Sequence, residues 1–329
     1  VTPIPIKVVI LAMYEPTPGD TVFTEGEMRR WVERLPLTDE MPFPFGGGAL
    51  RLDPARGVLC MLTGVGNATA ASAVTALGLH PAFDLTQAYW LMAGIAGADP
   101  ARLSVGSACW VDWVVDGDLM HEIDRRDTPA DWPTGRLPLG KSEPYAQPPK
   151  ARSHNAAWRL DPGLVAWAHR LTERLTLADT PEVARFRAHF AASAPGAAPP
   201  VVTTGAVLGG SDFWHGPSML AWARDWVGYW TEGAACFAVS AMEDAGIALA
   251  LQALARAGRV DARRLLMLRT ASNYVVPRPG LSAAQGLGSH KHEALCALKP
   301  SLENAFLVGN RVLEELLADW PRYRDRLPA

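Results

Sequence analysis

Val58-Leu59-Cys60-Met61-Leu62-Thr63-Gly64-Val65-Gly66-Asn67-Ala68-Thr69-Ala70-Ala71 joins an apolar run of strand length to a glycine turn and the opening of an Ala-rich helix. The run Val58 to Thr63 is too short for a helix, and the helix reads on from Ala68 to Leu79. The same unit recurs outward in both directions. Upstream, Ile6 to Met13 is a β-branched strand. Downstream, Gln87 to Ala93 is a third strand ending in Gly94-Ile95-Ala96-Gly97, and Ser107 to Val115 is a fourth. Further along come a short strand at Phe237 to Ser240, a helix at Glu243 to Ala257, a buried strand at Leu265 to Ala271 and a closing helix at Leu302 to Leu317. Continuous apolar strands separated by helices predict an α/β fold whose mostly parallel central sheet is covered on both faces. From about 118 to 200 the text turns rich in Pro, Trp, Arg and Ala, with helices expected at Pro162 to Leu177 and Pro181 to Ala192. That stretch reads as an irregular helical excursion from a single domain spanning 1–329, because it lacks strand-like runs for a core of its own.

Composition narrows the function classes. Lys and Arg number 31 against 34 Asp and Glu, a net charge of -3, with no basic cluster to neutralise a row of phosphates, so no nucleic-acid partner is expected. The apolar stretches Ala88 to Ala98 and Ala245 to Leu251 fall short of the roughly 18 to 20 residues that cross a bilayer. Cys60, Cys109, Cys236 and Cys296 form no CxxC pair and read as free thiols. The chain opens on Val1-Thr2-Pro3-Ile4-Pro5 rather than methionine. Export to the periplasm after removal of a signal peptide is therefore the expectation, with a cytoplasmic location as the alternative.

Gly64-Val65-Gly66-Asn67-Ala68-Thr69-Ala70 matches GxGxxx(G/A), yet it belongs to the second strand–helix unit, and the next strand runs into Met92-Ala93-Gly94 with no acid for a ribose hydroxyl. A dinucleotide is not expected, nor any other cofactor. His290-Lys291-His292-Glu293 reads as a solvated loop rather than a metal site, and no metal is expected. More informative are Ser240-Ala241-Met242-Glu243-Asp244-Ala245-Gly246 and Leu268-Arg269-Thr270-Ala271-Ser272-Asn273-Tyr274, which place polar groups at the C-terminal ends of buried strands. Acids opening a helix complement its dipole. That accounts for one of Glu243 and Asp244 but not for the arginine and asparagine flanking the second strand.

LTGVGNATAASAV (62–74), AGIAGADPARLSVGSA (93–108), SAMEDAG (240–246) and RTASN (269–273), in that order, resemble the nucleoside phosphorylase and nucleosidase superfamily. With KVVILAMYEP (7–16), GLHPAFDLTQAYWLMAGIAG (78–97), VDGDLMHEID (115–124), PADWPTG (129–135), FWHG (213–216) and LRTASNY (268–274), the chain resembles more closely the purine nucleoside permease family. The resemblance implies a nucleoside phosphorylase-like fold, a purine nucleoside as ligand and a homo-oligomer. It implies site loops at Gly64, Gly66, Gly94, Ile95, Ala96 and Gly97. It makes Glu243, preceded by Met242, the ribose clamp, a carboxylate being suited to vicinal hydroxyls. Asn273 falls where the purine is contacted, and an amide there donates hydrogen bonds but no proton. Phe213 and Trp214 fall near the aromatic wall of the base, with a core role as the alternative for Trp214.

Departures from the superfamily pattern bear on the nucleophile. The two positions where its phosphorylases carry arginine hold none, since the first loop reads Met13-Tyr14-Glu15-Pro16-Thr17-Pro18-Gly19-Asp20 and Tyr89-Trp90-Leu91-Met92 precedes Ala93. Its hydrolytic members place a glutamate in that loop. Glu15, one residue out of register, is thus expected to activate water, with Asp20 in reserve. Arg269 is the one cation expected nearby, as an anion site or as the partner of Glu243 or Glu15. The leading expectation is a purine nucleoside N-glycosidase releasing free base and ribose. A phosphorylase and a soluble nucleoside-binding component of uptake stay open.

Overall fold

The computed structural model describes residues 2–17, 25–146, 156–192, 194–289 and 294–329. Asp20 and the 290–293 run lie outside the described residues. Seven strands carry the core: β1 (Val8–Ala12), β2 (Val58–Leu62), β3 (Tyr89–Ala98), β4 (Ala108–Asp116), β5 (Val202–Gly209), β6 (Phe237–Ala241) and β7 (Leu265–Tyr274). Every residue of β1 and of β7 is buried, as the unbroken apolar text of strands covered on both faces requires. Six helices frame them: α1 (Arg29–Arg34), α2 (Asn67–Gly78), α3 (Pro162–Thr172), α4 (Pro217–Trp230), α5 (Asp244–Arg256) and α6 (Leu298–Ala318).

The expectation of a mostly parallel sheet needs correction: the sheet is mixed, and part of it closes on itself. β3 pairs parallel with β7, β7 antiparallel with β4, β4 parallel with β5, β5 parallel with β6, and β6 antiparallel with β3, which completes a barrel. From β3 the sheet continues through β1 and β2, both parallel, to antiparallel edge strands at Leu50–Asp53 and Asp39–Met41. The physical reason lies in strand length and local bends. β3 and β7 run to 10 residues each and β4 to 9, long enough to serve two partners in succession. Register shifts between Ala271 and Asn273 and between Gly205 and Val207 supply the curvature.

β3 shows why this matters for function. Tyr89 to Met92 pair with β1, whereas Gly97 and Ala98 pair with β6. Gly94-Ile95-Ala96-Gly97 is therefore not a turn after the strand, as the sequence suggests, but the part of it where one edge changes partner. Between the diverging strands a crevice opens, and the Ile95 amide is released from the ladder into it.

The 118–200 excursion carries both expected helices, α3 and a shorter one at Pro181–Ala188, and adds strands that were not expected. These are a hairpin pairing Met120–Glu122 with Arg136–Pro138 and an edge strand at Ala157–Arg159 on β4. The Asp161 carboxylate caps α3 by accepting from the Leu164 amide at 2.9 Å, and Pro162 occupies the first turn. Leu164, Val165 and Ala168 enter the main core. β5 and α4 were not read from the sequence. Trp222, Trp226 and Trp230, four apart on α4, face a second cluster with Trp214 and Phe237.

Candidate active site

A cavity of about 310 Å³ occupies the crevice. It is lined by Met13 and Tyr14 after β1, Ile95 to Gly97 on β3, Met242 and Glu243 after β6, and Arg269, Ser272 and Asn273 on β7. Val65 and Phe213 stand at its mouth, 45% and 50% exposed, apolar surfaces of a kind that a flat ligand would cover.

Glu243 lies just beyond β6 at the N-cap of α5, where its carboxylate faces two donors. The Gly66 amide donates to its Oε1 at 3.2 Å and Arg269 Nη2 to its Oε2 at 2.8 Å. Gly66 has φ +92°, a left-handed conformation that glycine adopts freely, and this turns its N–H toward Glu243. A carboxylate offers roughly four acceptor positions. Among the described residues Glu243 thus keeps about two, matching a pair of vicinal hydroxyls.

Arg269 is 1% exposed and completes a buried ionic cluster. Its Nε and Nη2 grip Asp244, which is fully buried, its Nη2 also reaches Glu243, and its Nη1 donates to the Ile95 carbonyl at 2.9 Å. Burial by itself would lower the guanidinium pKa, but the carboxylates of Asp244, Glu243 and Glu27 outweigh it and raise the pKa. Of the partners foreseen for Arg269, the structure selects Glu243 and adds Asp244. Glu15 is not among them.

The residue missing from the sequence reading is Glu27. It is 6% exposed, and its carboxylate sits in a nest of main-chain donors: Met13 N at 2.7 Å and Tyr14 N at 3.2 Å to Oε2, and Ile95 N at 2.7 Å to Oε1. Among the described residues these donors fill three acceptor positions and leave about one for the cavity. Burial pushes the Glu27 pKa up to about 7, aided by the Glu243 charge, while Arg269 and the Ile95 and Met13 amides pull it back. Gly94 makes room for this cluster: a β-carbon there would lie 2.6 Å from Glu27 Oε1 and 2.7 Å from Arg269 Nη1.

Glu15 is placed elsewhere. Its Oε1 accepts from the Met28 and Arg29 amides at 2.7 and 2.9 Å, capping α1, and it borders a separate groove with Arg29 and Arg51. Trp214 likewise does not line the cavity; it is 9% exposed and packs against Trp222 and Phe237. Met242, Asn273 and Phe213 do line it, as do Ile95, Ala96 and Gly97, whereas Gly64 and Gly66 shape the turn that presents Val65. The Asn273 amide is oriented from both ends, Nδ2 donating to the Tyr274 carbonyl at 3.1 Å and Oδ1 accepting from Ser272 Oγ at 3.2 Å. Its second N–H is left as a donor. Among the described residues, no group of three His, Cys, Asp or Glu side chains could hold a metal ion, and no helix is long and apolar enough to cross a membrane.

The model of a family described as purine nucleoside permease matches residues 5–328. A purine nucleoside permease of Candida albicans is 27% identical over 269 residues, covering 80% of this chain and 65% of that protein. A probable purine nucleoside permease of Schizosaccharomyces pombe is 26% identical over 268 residues, 79% of this chain and 76% of its own. This chain thus spans just under two thirds of the Candida relative's length. Among solved structures, the futalosine hydrolase of Helicobacter pylori superposes with a TM-score of 0.55 at 15% identity, over 94% of this chain and 98% of that one. The 5'-methylthioadenosine/S-adenosylhomocysteine nucleosidase of Neisseria meningitidis gives 0.52 at 17%, over the same shares. At these identities the likeness establishes a shared nucleosidase-type fold.

Proposed function

Because this chain belongs to the purine nucleoside permease family, we propose that the cavity takes a purine nucleoside and cleaves its N-glycosidic bond with water. The observation that carries this reading is the seat of Glu27. A buried carboxylate, held by three amides and raised toward neutrality, keeps one acceptor position toward the cavity that Glu243 and Asn273 also face.

Glu243 holds the 2′- and 3′-hydroxyls, and its charge favours the cationic character that the sugar gains as the bond to the base weakens. Water adds to the anomeric carbon and gives its proton to Glu27. The bonding pair leaves with the base, whose growing negative charge the Asn273 N–H meets before solvent protonates it. Phosphate has no comparable place: the amides that would bind an anion are filled by Glu27, and a dianion beside Glu27 and Glu243 would carry a charge cost of several kcal/mol. The test is chromatography of inosine, guanosine and adenosine digests with and without phosphate. Free base and ribose at a phosphate-indifferent rate are expected, and ribose 1-phosphate as main product would overturn hydrolysis.

A second reading keeps the clamp and drops the chemistry: a nucleoside-binding component of uptake. It is favoured by the name its relatives carry. Stoichiometric binding without turnover by the pure protein would select it.

Glu243→Gln is expected to weaken nucleoside binding by about 1.5 to 3 kcal/mol, the range for hydrogen bonds to a charged group. Calorimetric titration of the folded variant measures this, and an unchanged affinity would remove Glu243 from the ribose site.

Inosine is expected to exceed adenosine in kcat/KM, since the outward N–H of Asn273 suits an oxo group and conflicts with an amino group. Asn273→Asp, which can carry a proton to an aminopurine, should move the ratio toward adenosine. An adenosine value equal to or above that for inosine in the native protein would count against the assignment.

A further inference from the structure

The polar side chains of the cavity fall at two levels along β3. At Gly94, which pairs with Arg269 of β7, the Glu27, Arg269 and Glu243 groups gather. At Gly97 three strands form one row: Asn273 of β7 pairs with Gly97 on one side, and Ser240 of β6 pairs with it on the other. Residues paired directly across a sheet present their side chains to the same face, and all three of these line the cavity. A β-carbon at Gly97 would lie 3.1 Å from Asn273 Nδ2, so the glycine keeps the space between its two neighbours open. Because β6 runs antiparallel to β3, the chain from Ser240 to Glu243 heads back toward the level of Gly94. Ser240 is the one residue of β6 that is not buried, and among the described residues its hydroxyl makes no hydrogen bond. The Ser272 hydroxyl, by contrast, is committed, donating to the Ala96 carbonyl at 3.3 Å and to Asn273 Oδ1 at 3.2 Å.

We propose that Ser240 is a specificity-determining residue that reads the edge of the base opposite the one Asn273 meets, so that the site favours purine nucleosides carrying a 2-amino group. This rests on the purine nucleoside reading. With the ribose at Glu243 and Glu27, the glycosidic bond points along β3, and the base lies over Gly97 with one edge toward β7 and the other toward β6. On a purine the edges flanking that bond are N7 with position 6, and N3 with position 2. The free N–H of Asn273 takes the first, where N7 and an oxo group accept. Ser240 meets the second. A hydroxyl donates one hydrogen bond while accepting others, so it can donate to N3 and accept from a 2-amino group at once. Hypoxanthine offers it N3 alone, whereas guanine offers both.

Two ligand pairs that differ only by the 2-amino group test the proposal: guanosine with inosine, and 2,6-diaminopurine riboside with adenosine. Calorimetric affinity and kcat/KM are measured for all four on native protein, Ser240→Ala and Ser240→Thr. The native protein is expected to prefer the 2-amino member of each pair by about two- to tenfold, the range for one hydrogen bond between neutral groups. Ser240→Ala should bring both preferences close to one while the inosine-to-adenosine ratio keeps its native value, because position 6 belongs to Asn273. Ser240→Thr, which retains the hydroxyl, should restore the preference. Asn273→Asp gives the mirror image, moving the inosine-to-adenosine ratio and sparing the 2-amino preference. Native protein indifferent to the 2-amino group, or a folded Ser240→Ala protein with the native preference, would overturn the role of Ser240. Native protein that neither binds nor cleaves any of the four would overturn the nucleoside reading beneath it.

Discussion

Glu27→Gln is expected to lower kcat for nucleoside cleavage about a hundred- to ten-thousandfold while nucleoside affinity persists, the usual contribution of a positioned general base. Water is neutral and pays little to enter the cavity, but it attacks poorly unless its proton is taken as it does so. The amide cannot take that proton. The pH profile gives an independent check. A base works only when ionised, so with its pKa raised to about 7 by burial, native kcat should climb as pH rises through that value and then level off. The linkage to stability has the opposite sense. Folded Glu27 keeps its proton up to about 7, whereas an ordinary carboxylate sheds it near 4.5, so the folded state binds more protons across that window. Relative to Glu27→Gln, the native protein should therefore lose stability as pH rises from 4.5 to 7 and change little beyond. Glu15→Ala is the matched control: it removes the cap on α1 and should cost about 0.5 to 2 kcal/mol of stability with kcat retained. A Glu27→Gln protein with native kcat and a Glu15→Ala protein without activity would return the role to Glu15.

The exchange of Glu15 for Glu27 marks where the sequence stops being legible. Strand ends are local facts: the apolar run Val8 to Ala12 announces that polar groups just beyond it face a crevice, and Glu243 and Asn273 were located in that way. Glu27 instead stands 13 residues beyond Tyr14 in the chain, and only the fold brings its carboxylate to the Met13 and Tyr14 amides. Its one local signal was Gly26, which lets the backbone pass against Glu15: a β-carbon there would lie 2.5 Å from Glu15 Oε2. Closure of the barrel was hidden for a related reason. Strand periodicity reports burial on two faces, and it is the same whether a strand keeps one neighbour or exchanges it partway, as β3 does at Gly94 to Gly97. Trp214 shows the converse limit, since an aromatic beside Phe213 in the sequence points to the opposite side of the loop into a Trp-rich core.

Arg269→Met is expected to destabilise the protein by about 3 to 5 kcal/mol, the cost of removing one member of a buried ion cluster and leaving its partners charged. The methionine is similar in length and fills the space, so the loss reports electrostatics rather than a cavity. Two carboxylates are orphaned at once: Asp244, with no exposed surface, and Glu243, at 4%. The Ile95 carbonyl loses its donor as well. Arg269→Lys should restore only part of the stability, because an ammonium cannot grip Asp244 with two N–H groups while reaching Glu243 and the Ile95 carbonyl. Adding Asp244→Asn to Arg269→Met should recover more of it by removing one stranded charge. Urea unfolding of the three variants at neutral pH and near pH 5 checks the account. If the orphaned carboxylates carry the penalty, acid lets them take up protons and the deficit of Arg269→Met narrows. A deficit under about 1 kcal/mol, or one that widens in acid, would mean that the cluster is not what holds these strand ends together, and Arg269 would again be available to bind an anion.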